Sequence, residues 1–160
     1  MIIHEDAPTP EQVDWHLNHY KHKVRESWAR RDDFTPTPKQ IENGLNDEWK
    51  SVRLAWAMRM DFTPTPEQVE NGLNDEWKSV RTAWAKRSDF TPTWEQVERG
   101  LNDPFPSIRS IWARRVDYTA TQEQIEHGLA DPDTSYAWRL RIQSGLGLPD
   151  DEDLYDSQSM

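Results

Sequence analysis

The sequence predicts an all-α fold, a stack of five two-helix repeats, and three observations carry that prediction. Asp47-Glu48-Trp49-Lys50-Ser51-Val52-Arg53 recurs unchanged at Asp75 to Arg81, 28 residues on, and again as Asp103-Pro104-Phe105-Pro106-Ser107-Ile108-Arg109. Two apolar columns keep the same step: Val13, Ile41, Val69, Val97, Ile125 and Leu17, Leu45, Leu73, Leu101, Leu129. A tryptophan column follows it too, at Trp28, Trp56, Trp84 and Trp112. A fixed period of this length marks a repeat architecture. The frame gives repeats at 7–34, 35–62, 63–90, 91–118 and 119–146, within a helical-repeat domain at 1–149 followed by an acidic tail at 150–160.

The third repeat shows why each unit reads as two short helices. Thr65-Pro66-Glu67-Gln68 is a helix start. Thr65 caps, Pro66 suits the first helical position, and Gln68 completes a capping box. Pro66, Val69 and Leu73 share one face at spacings of three and four. Gly72 weakens this helix, and Asp75 is expected to cap a second one. In the second helix Trp77, Val80 and Trp84 fall in one stripe, with Ala83 at its edge and Arg81 bordering it. Ser88-Asp89-Phe90-Thr91-Pro92 ends the helix, because the residue before a proline avoids the helical region. Phe90 is expected to tuck under the next repeat.

Helices this short are not stable alone, so each pair must bury its stripe against its neighbours. The end repeats should then be atypical. Repeat 1 places His16 and His19 where repeat 3 has Gly72 and Asp75. Repeat 5 loses register after Ser135, and Tyr136-Ala137-Trp138-Arg139 fits the valine–arginine column only with a two-residue insertion. Gly145 and Gly147-Leu148-Pro149 close the array.

Composition limits the classes of function. Only 34% of residues are hydrophobic, yet there are nine tryptophans, so the core rests on a few large side chains. There is no cysteine, which excludes disulfides and thiolate chemistry. No apolar run is long enough to cross a membrane. The first ten residues, MIIHEDAPTP, lack a basic region followed by an apolar one, so no secretory leader is expected. A cytoplasmic protein is the simplest reading. Of the 29 acids, five lie between Asp150 and Asp156, which leaves 24 against 19 bases in the body. The body is therefore only mildly acidic, and net charge alone names no partner.

The run Leu73-Asn74-Asp75, Val80-Arg81, Trp84-Ala85 and Thr91-Pro92 resembles the leucine-rich repeat variant pattern, over about residues 7–135. It is also similar to a minimal HEAT-type unit, which shares the aspartate and valine–arginine positions. The resemblance implies a right-handed superhelical solenoid whose role is binding. The sequence departs from the variant family in its longer repeat and its tryptophans. The cysteine cluster found ahead of some variant repeats is absent, so no iron–sulfur site, and no other cofactor, is expected. The alternation of α and 3₁₀ helices in that family is left open by these residues.

Two rows of cations stand out. Arg25, Arg53, Arg81 and Arg109 border the apolar stripe. They suit either a grip on phosphates or carboxylates, or a structural ladder to the turn aspartates Asp47, Asp75 and Asp103, and the ladder is preferred. A second row, Arg30, Arg31, Arg59, Lys86, Arg87, Arg114 and Arg115, falls at the ends of the second helices and is expected to be exposed. Acids gather on first helices and turns, as with Glu67, Glu70, Asp75 and Glu76, so one side should be acidic and the other basic.

The Trp28–Trp112 column reads as core. Trp49, Trp77 and the equivalent Phe105 sit at the stripe's edge as candidate binding anchors, and Trp94 replaces the proline of Pro38 and Pro66. His16, His19 and His22 fall at intervals of three but lack a fourth ligand, so a polar capping repeat is preferred to a metal site. The carboxylates repeat from unit to unit, and no nucleophile, phosphate-loop or zinc-protease motif is present, so no catalytic residue is assigned. Leu154 and Tyr155 lie within the acidic tail, which reads as disordered, a solubilising tail or a short docking motif. The expected function is a non-enzymatic protein-binding module, an adaptor or inhibitor of bacterial or phage type. The alternatives are nucleic-acid binding through the second cation row and nucleic-acid mimicry by the acidic side.

Overall fold

The computed structural model describes residues 6–150. The tail beyond residue 150, with Leu154 and Tyr155, lies outside the described residues. Those described form ten α-helices and no strand: α1 Pro10–Leu17, α2 His22–Ala29, α3 Pro38–Leu45, α4 Lys50–Ala57, α5 Pro66–Leu73, α6 Lys78–Ala85, α7 Trp94–Leu101, α8 Pro106–Arg114, α9 Gln122–Ala130 and α10 Ser135–Ser144. This is the all-α repeat architecture, with one helix pair per 28-residue frame. None of these helices is long and apolar enough to cross a membrane.

The chain divides into two compact blocks, Met1–Trp84 and Ala85–Met160. In the first, α1 packs on α2, α3 on α4 and α2 on α4, while α1, α3 and α5 touch more loosely. In the second, α7 packs on α8, α9 on α10 and α8 on α10.

Each first helix opens with the same device. Thr9, Thr37, Thr65, Thr93 and Thr121 are N-caps in complete capping boxes with Gln12, Gln40, Gln68, Gln96 and Gln124. In repeat 3 the Gln68 amide N–H donates to Thr65 Oγ1 at 3.1 Å, and the Thr65 N–H donates to Gln68 Oε1 at 3.0 Å. Two donors that a helix start leaves orphaned are thereby satisfied. At the other end Asn18, Asn46, Asn74 and Asn102 donate from Nδ2 to the carbonyl four residues back.

The second helices begin later than expected. Asp47 does not cap α4. The N-cap is Trp49, without a side-chain bond, and likewise Phe105 for α8. Asp47 Oδ1 instead accepts the Trp49 N–H at 3.0 Å, as Asp75 does for Trp77 and Asp103 for Phe105. The aspartate closes a tight turn ahead of the helix while both of its oxygens also accept from an arginine of the preceding repeat.

The core follows the expected tryptophan column at Trp56, Trp84 and Trp112, but Trp138 joins it and Trp28 does not. Trp56, Trp84, Trp112 and Trp138 are almost wholly buried. Each indole lies flat against a glycine of the first helix in its own repeat: Gly44, Gly72, Gly100 and Gly128. A Cβ built at Gly72 would stand 2.2 Å from Trp84 Nε1. The glycine is therefore not a weakness tolerated in a helix but the slot into which the ring fits. Repeat 1 has His16 in the glycine position, and its imidazole stacks on Trp28 at 3.9 Å, so that Trp28 is only partly buried.

The Gly128–Trp138 pairing corrects the register of repeat 5. Trp138 occupies the place of Trp112, and Arg141 that of Arg115. The interval from turn aspartate to tryptophan is nine residues in Asp103–Trp112 and seven in Asp131–Trp138, a two-residue deletion and not an insertion. Gly145, with φ of 70°, ends α10 in the left-handed region as expected of a terminal glycine.

Gly72→Ala should lower unfolding stability by about 1–3 kcal/mol, because the added carbon must displace a buried ring. Asn71→Ala, one residue away and exposed, should leave the urea midpoint essentially unchanged.

Candidate partner-binding surface

The first arginine row is a ladder between repeats. Arg25 donates from Nε to Asp47 Oδ2 at 2.8 Å and from Nη2 to Asp47 Oδ1 at 3.0 Å, and Arg53 makes the same fork to Asp75. Nη1 of Arg53 reaches the carbonyls of Asp47 and Glu48 in its own repeat, and Arg81 does so to Asp75 and Glu76. In the second block Arg109 pairs with Asp131 at 3.0 Å and with the Asp103 carbonyl at 2.9 Å. Asp103 is itself buried. The fork to the carboxylate raises the pKa of Arg25 and of Arg53. These arginines hold the turns and are not free to grip a ligand.

The second row splits, and part of the expectation is overturned. Arg59 is 8% exposed and Arg87 3%, although both were expected at the surface. The Arg115 side chain is only 9% exposed. Each sits at the end of its second helix with a carboxylate two residues on. Arg59 donates from Nε and Nη2 to Asp61 at 3.0 and 2.6 Å, and Arg87 to Asp89 at 3.1 and 2.7 Å. Arg115 pairs likewise with Asp117, and Arg31 with Asp33. Nη1 of Arg59 then donates to the carbonyls of Ala29 and Arg31 at 2.7 Å each, capping the second helix of the preceding repeat. Arg115 does the same to Ala85 and Arg87. The guanidinium lies over the ring of the preceding repeat's aromatic residue, Phe34 for Arg59 at 4.6 Å and Phe90 for Arg115 at 4.5 Å. Phe90 thus tucks under the next repeat as the sequence suggested.

A readable signal for this ladder was present. Arg-x-Asp followed by Phe or Tyr recurs at Arg31–Phe34, Arg59–Phe62, Arg87–Phe90 and Arg115–Tyr118. In repeat 5 Arg141 keeps the carbonyl contacts, to Ala113 and Tyr118, but Gln143 stands where the aspartate would be. Its Nε is buried without a partner, and burial lowers its pKa. Burial also pushes the Tyr118 hydroxyl up to about 12. The cations of the row that remain exposed are Arg30, Lys86 and Arg114.

The aromatic candidates differ in freedom. Trp49 and Trp77 are 46% and 43% exposed, yet His22 stacks on Trp49 at 3.9 Å and Lys50 sits over Trp77 at 3.5 Å. One face of each ring is already covered by the repeat before it. Phe105 is exposed beside its turn, though less than either tryptophan. Trp94 is 54% exposed and borders a groove of about 900 Å³ between repeats 4 and 5. Similar grooves of about 740 and 520 Å³ lie between repeats 1 and 2 and between repeats 2 and 3. All three are lined mainly by first helices and turns, with an arginine and the buried tryptophan of second helices beneath. His16, His19 and His22 enter separate ring stacks, on Trp28, Tyr20 and Trp49. Among the described residues no group of three or more ligand-type side chains is placed to hold a metal ion.

The chain matches no known protein family, no characterised protein and no solved structure.

Arg59→Ala should cost about 1–3 kcal/mol, because it leaves the carbonyls of Ala29 and Arg31 at the end of α2 without their donor. Lys86→Ala and Arg114→Ala should leave the unfolding midpoint unchanged; equal losses at all three positions would show that the row is not divided. A second check uses acid. The backbone N–H of Asp133, and then Arg109, hold the Asp131 pKa below its ordinary value. A carboxylate so depressed stabilises the fold above the ordinary range and ceases to as pH falls through its folded pKa. Stability should therefore hold down to about pH 5 and drop below about pH 4, and Asp131→Asn should flatten that drop.

Proposed function

We propose that this chain is a protein-binding module without catalytic activity, a cytoplasmic adaptor or inhibitor built on a repeat of the leucine-rich variant or HEAT kind. The observation that carries this reading is Trp94. Where repeats 2 and 3 start their first helix with Pro38 and Pro66, repeat 4 sets a large indole, half exposed, on the rim of a groove. Aromatic anchors beside concave surfaces dominate protein–protein binding energy. The recurrence of similar grooves at successive repeats supports the reading further. Nucleic-acid binding through the second cation row is disfavoured, since Arg59, Arg87 and Arg115 are engaged within the fold.

The test is retention of a protein from source-organism lysate by the immobilised full chain, with and without nuclease. The expected result is one protein enriched in both samples and lost by about tenfold with Trp94→Ala, at an unchanged unfolding midpoint. Enrichment that vanishes on nuclease treatment would replace this reading with nucleic-acid binding.

A further inference from the structure

The grooves on the first-helix face have a common build. In the first block, Asp47 and Glu48 line both the groove between repeats 1 and 2 and the one between repeats 2 and 3, so their turn is the ridge separating the two. The floor of each is a tryptophan under a glycine, Trp56 under Gly44 and Trp84 under Gly72. On the walls stand Asn43 and Asn71, 28 residues apart, whose side chains bond no described residue. The rims are carboxylates: Asp14, Glu48, Glu42 and Glu76.

The arginines that also line these grooves do not offset this charge. Arg25 and Arg53 are forked to Asp47 and Asp75, and the side chain of each is only 12% exposed. Lys39 is the one other cation lining the first groove, and the second has none besides Arg53. The accessible surface is negative, with an apolar floor and unpaired amides. In the second block the groove between repeats 4 and 5 shares this character, with Glu98 and Glu123 at its edge and Arg109 already held by Asp131.

We propose that the first-helix face of the first block binds an extended cationic segment of a partner protein, with a lysine or arginine entering its two successive grooves at every third residue. The inference rests on the protein-binding reading and names the class of partner. The period follows from two lengths. Stacked helices advance about 10 Å per repeat. An extended or polyproline chain advances about 3.1–3.4 Å per residue, so three residues span one repeat. In a polyproline helix every third side chain also returns to the same face. A lysine stem lies against the half-buried Leu17 or Leu45 that lines each groove while its ammonium meets the rim carboxylates. Asn43 and Asn71 offer a donor and an acceptor to the backbone passing over them. Nucleic acid is repelled by the same carboxylates.

The experiment titrates the full chain with labelled synthetic peptides of one composition. One carries lysine at every third position in a proline background, one carries the same lysines contiguously, and a third replaces lysine by glutamate. The periodic peptide should bind roughly fivefold or more tighter than the contiguous one. Its affinity should fall with salt. The double substitution Glu48→Gln, Glu76→Gln should weaken it by about as much, with the unfolding midpoint unchanged. Equal binding of both cationic peptides, or indifference to the double substitution, overturns the proposal. Binding of neither cationic peptide by a chain that still retains a protein through Trp94 overturns the cationic class alone. If that retention is absent as well, the protein-binding reading falls with it.

Discussion

The guanidinium that reaches back across a repeat is the interaction on which the rest depends. A helix leaves its last four carbonyls without partners, and in an eight-residue helix such as α2 or α4 that is half of them. Arg59 supplies the missing donors to α2, and within the second block Arg115 supplies them to the carbonyls of Ala85 and Arg87. Burying a lone cation there is costly, so Arg59 and Arg115 bring their own carboxylates two residues on, Asp61 and Asp117, and Arg141 in repeat 5 does without one. The ring beneath the guanidinium excludes water from one side. Charge, cap and aromatic plate form one device, and it explains how repeats stack when barely a third of the residues are apolar.

The indole and the glycine do the complementary task within a repeat. A tryptophan is too large to lie between two helices that each carry a Cβ at the crossing. Removing that carbon at Gly44, Gly72, Gly100 and Gly128 lets the two helices close over the ring. The first helix loses intrinsic stability from the glycine, and the capping box at its other end restores part of it. Local cost and tertiary gain are therefore tied to the same column of residues. Because the indole spans the pair, it also forms the floor of the grooves outside.

Much of this was legible in the residues, for a physical reason: a repeat shows each interaction several times. The capping threonines, the tryptophan column and the Arg25–Arg109 ladder each occupy one position per period. Other features were hidden because two mechanisms favour the same residue. Aspartate suits a tight turn as well as a helix cap, so Asp47 and Asp75 suggested a helix start that lies further on. Arginine at a helix C-terminus suits an exposed dipole partner as well as a buried cap, so Arg59, Arg87 and Arg115 looked like surface. The register of repeat 5 turned on Trp138, which with Arg139 imitates the valine–arginine pair but, as the one tryptophan of that repeat, belongs to the tryptophan column.

The ladders have a consequence for how such a chain is made. The rungs described here join residues 22 to 30 positions apart. Partners of every rung thus become available after only one further repeat has been synthesised. Low sequence separation between contacts favours rapid folding. A ribosome that has released two repeats has already released a self-consistent interface, and each later repeat has a finished edge on which to condense.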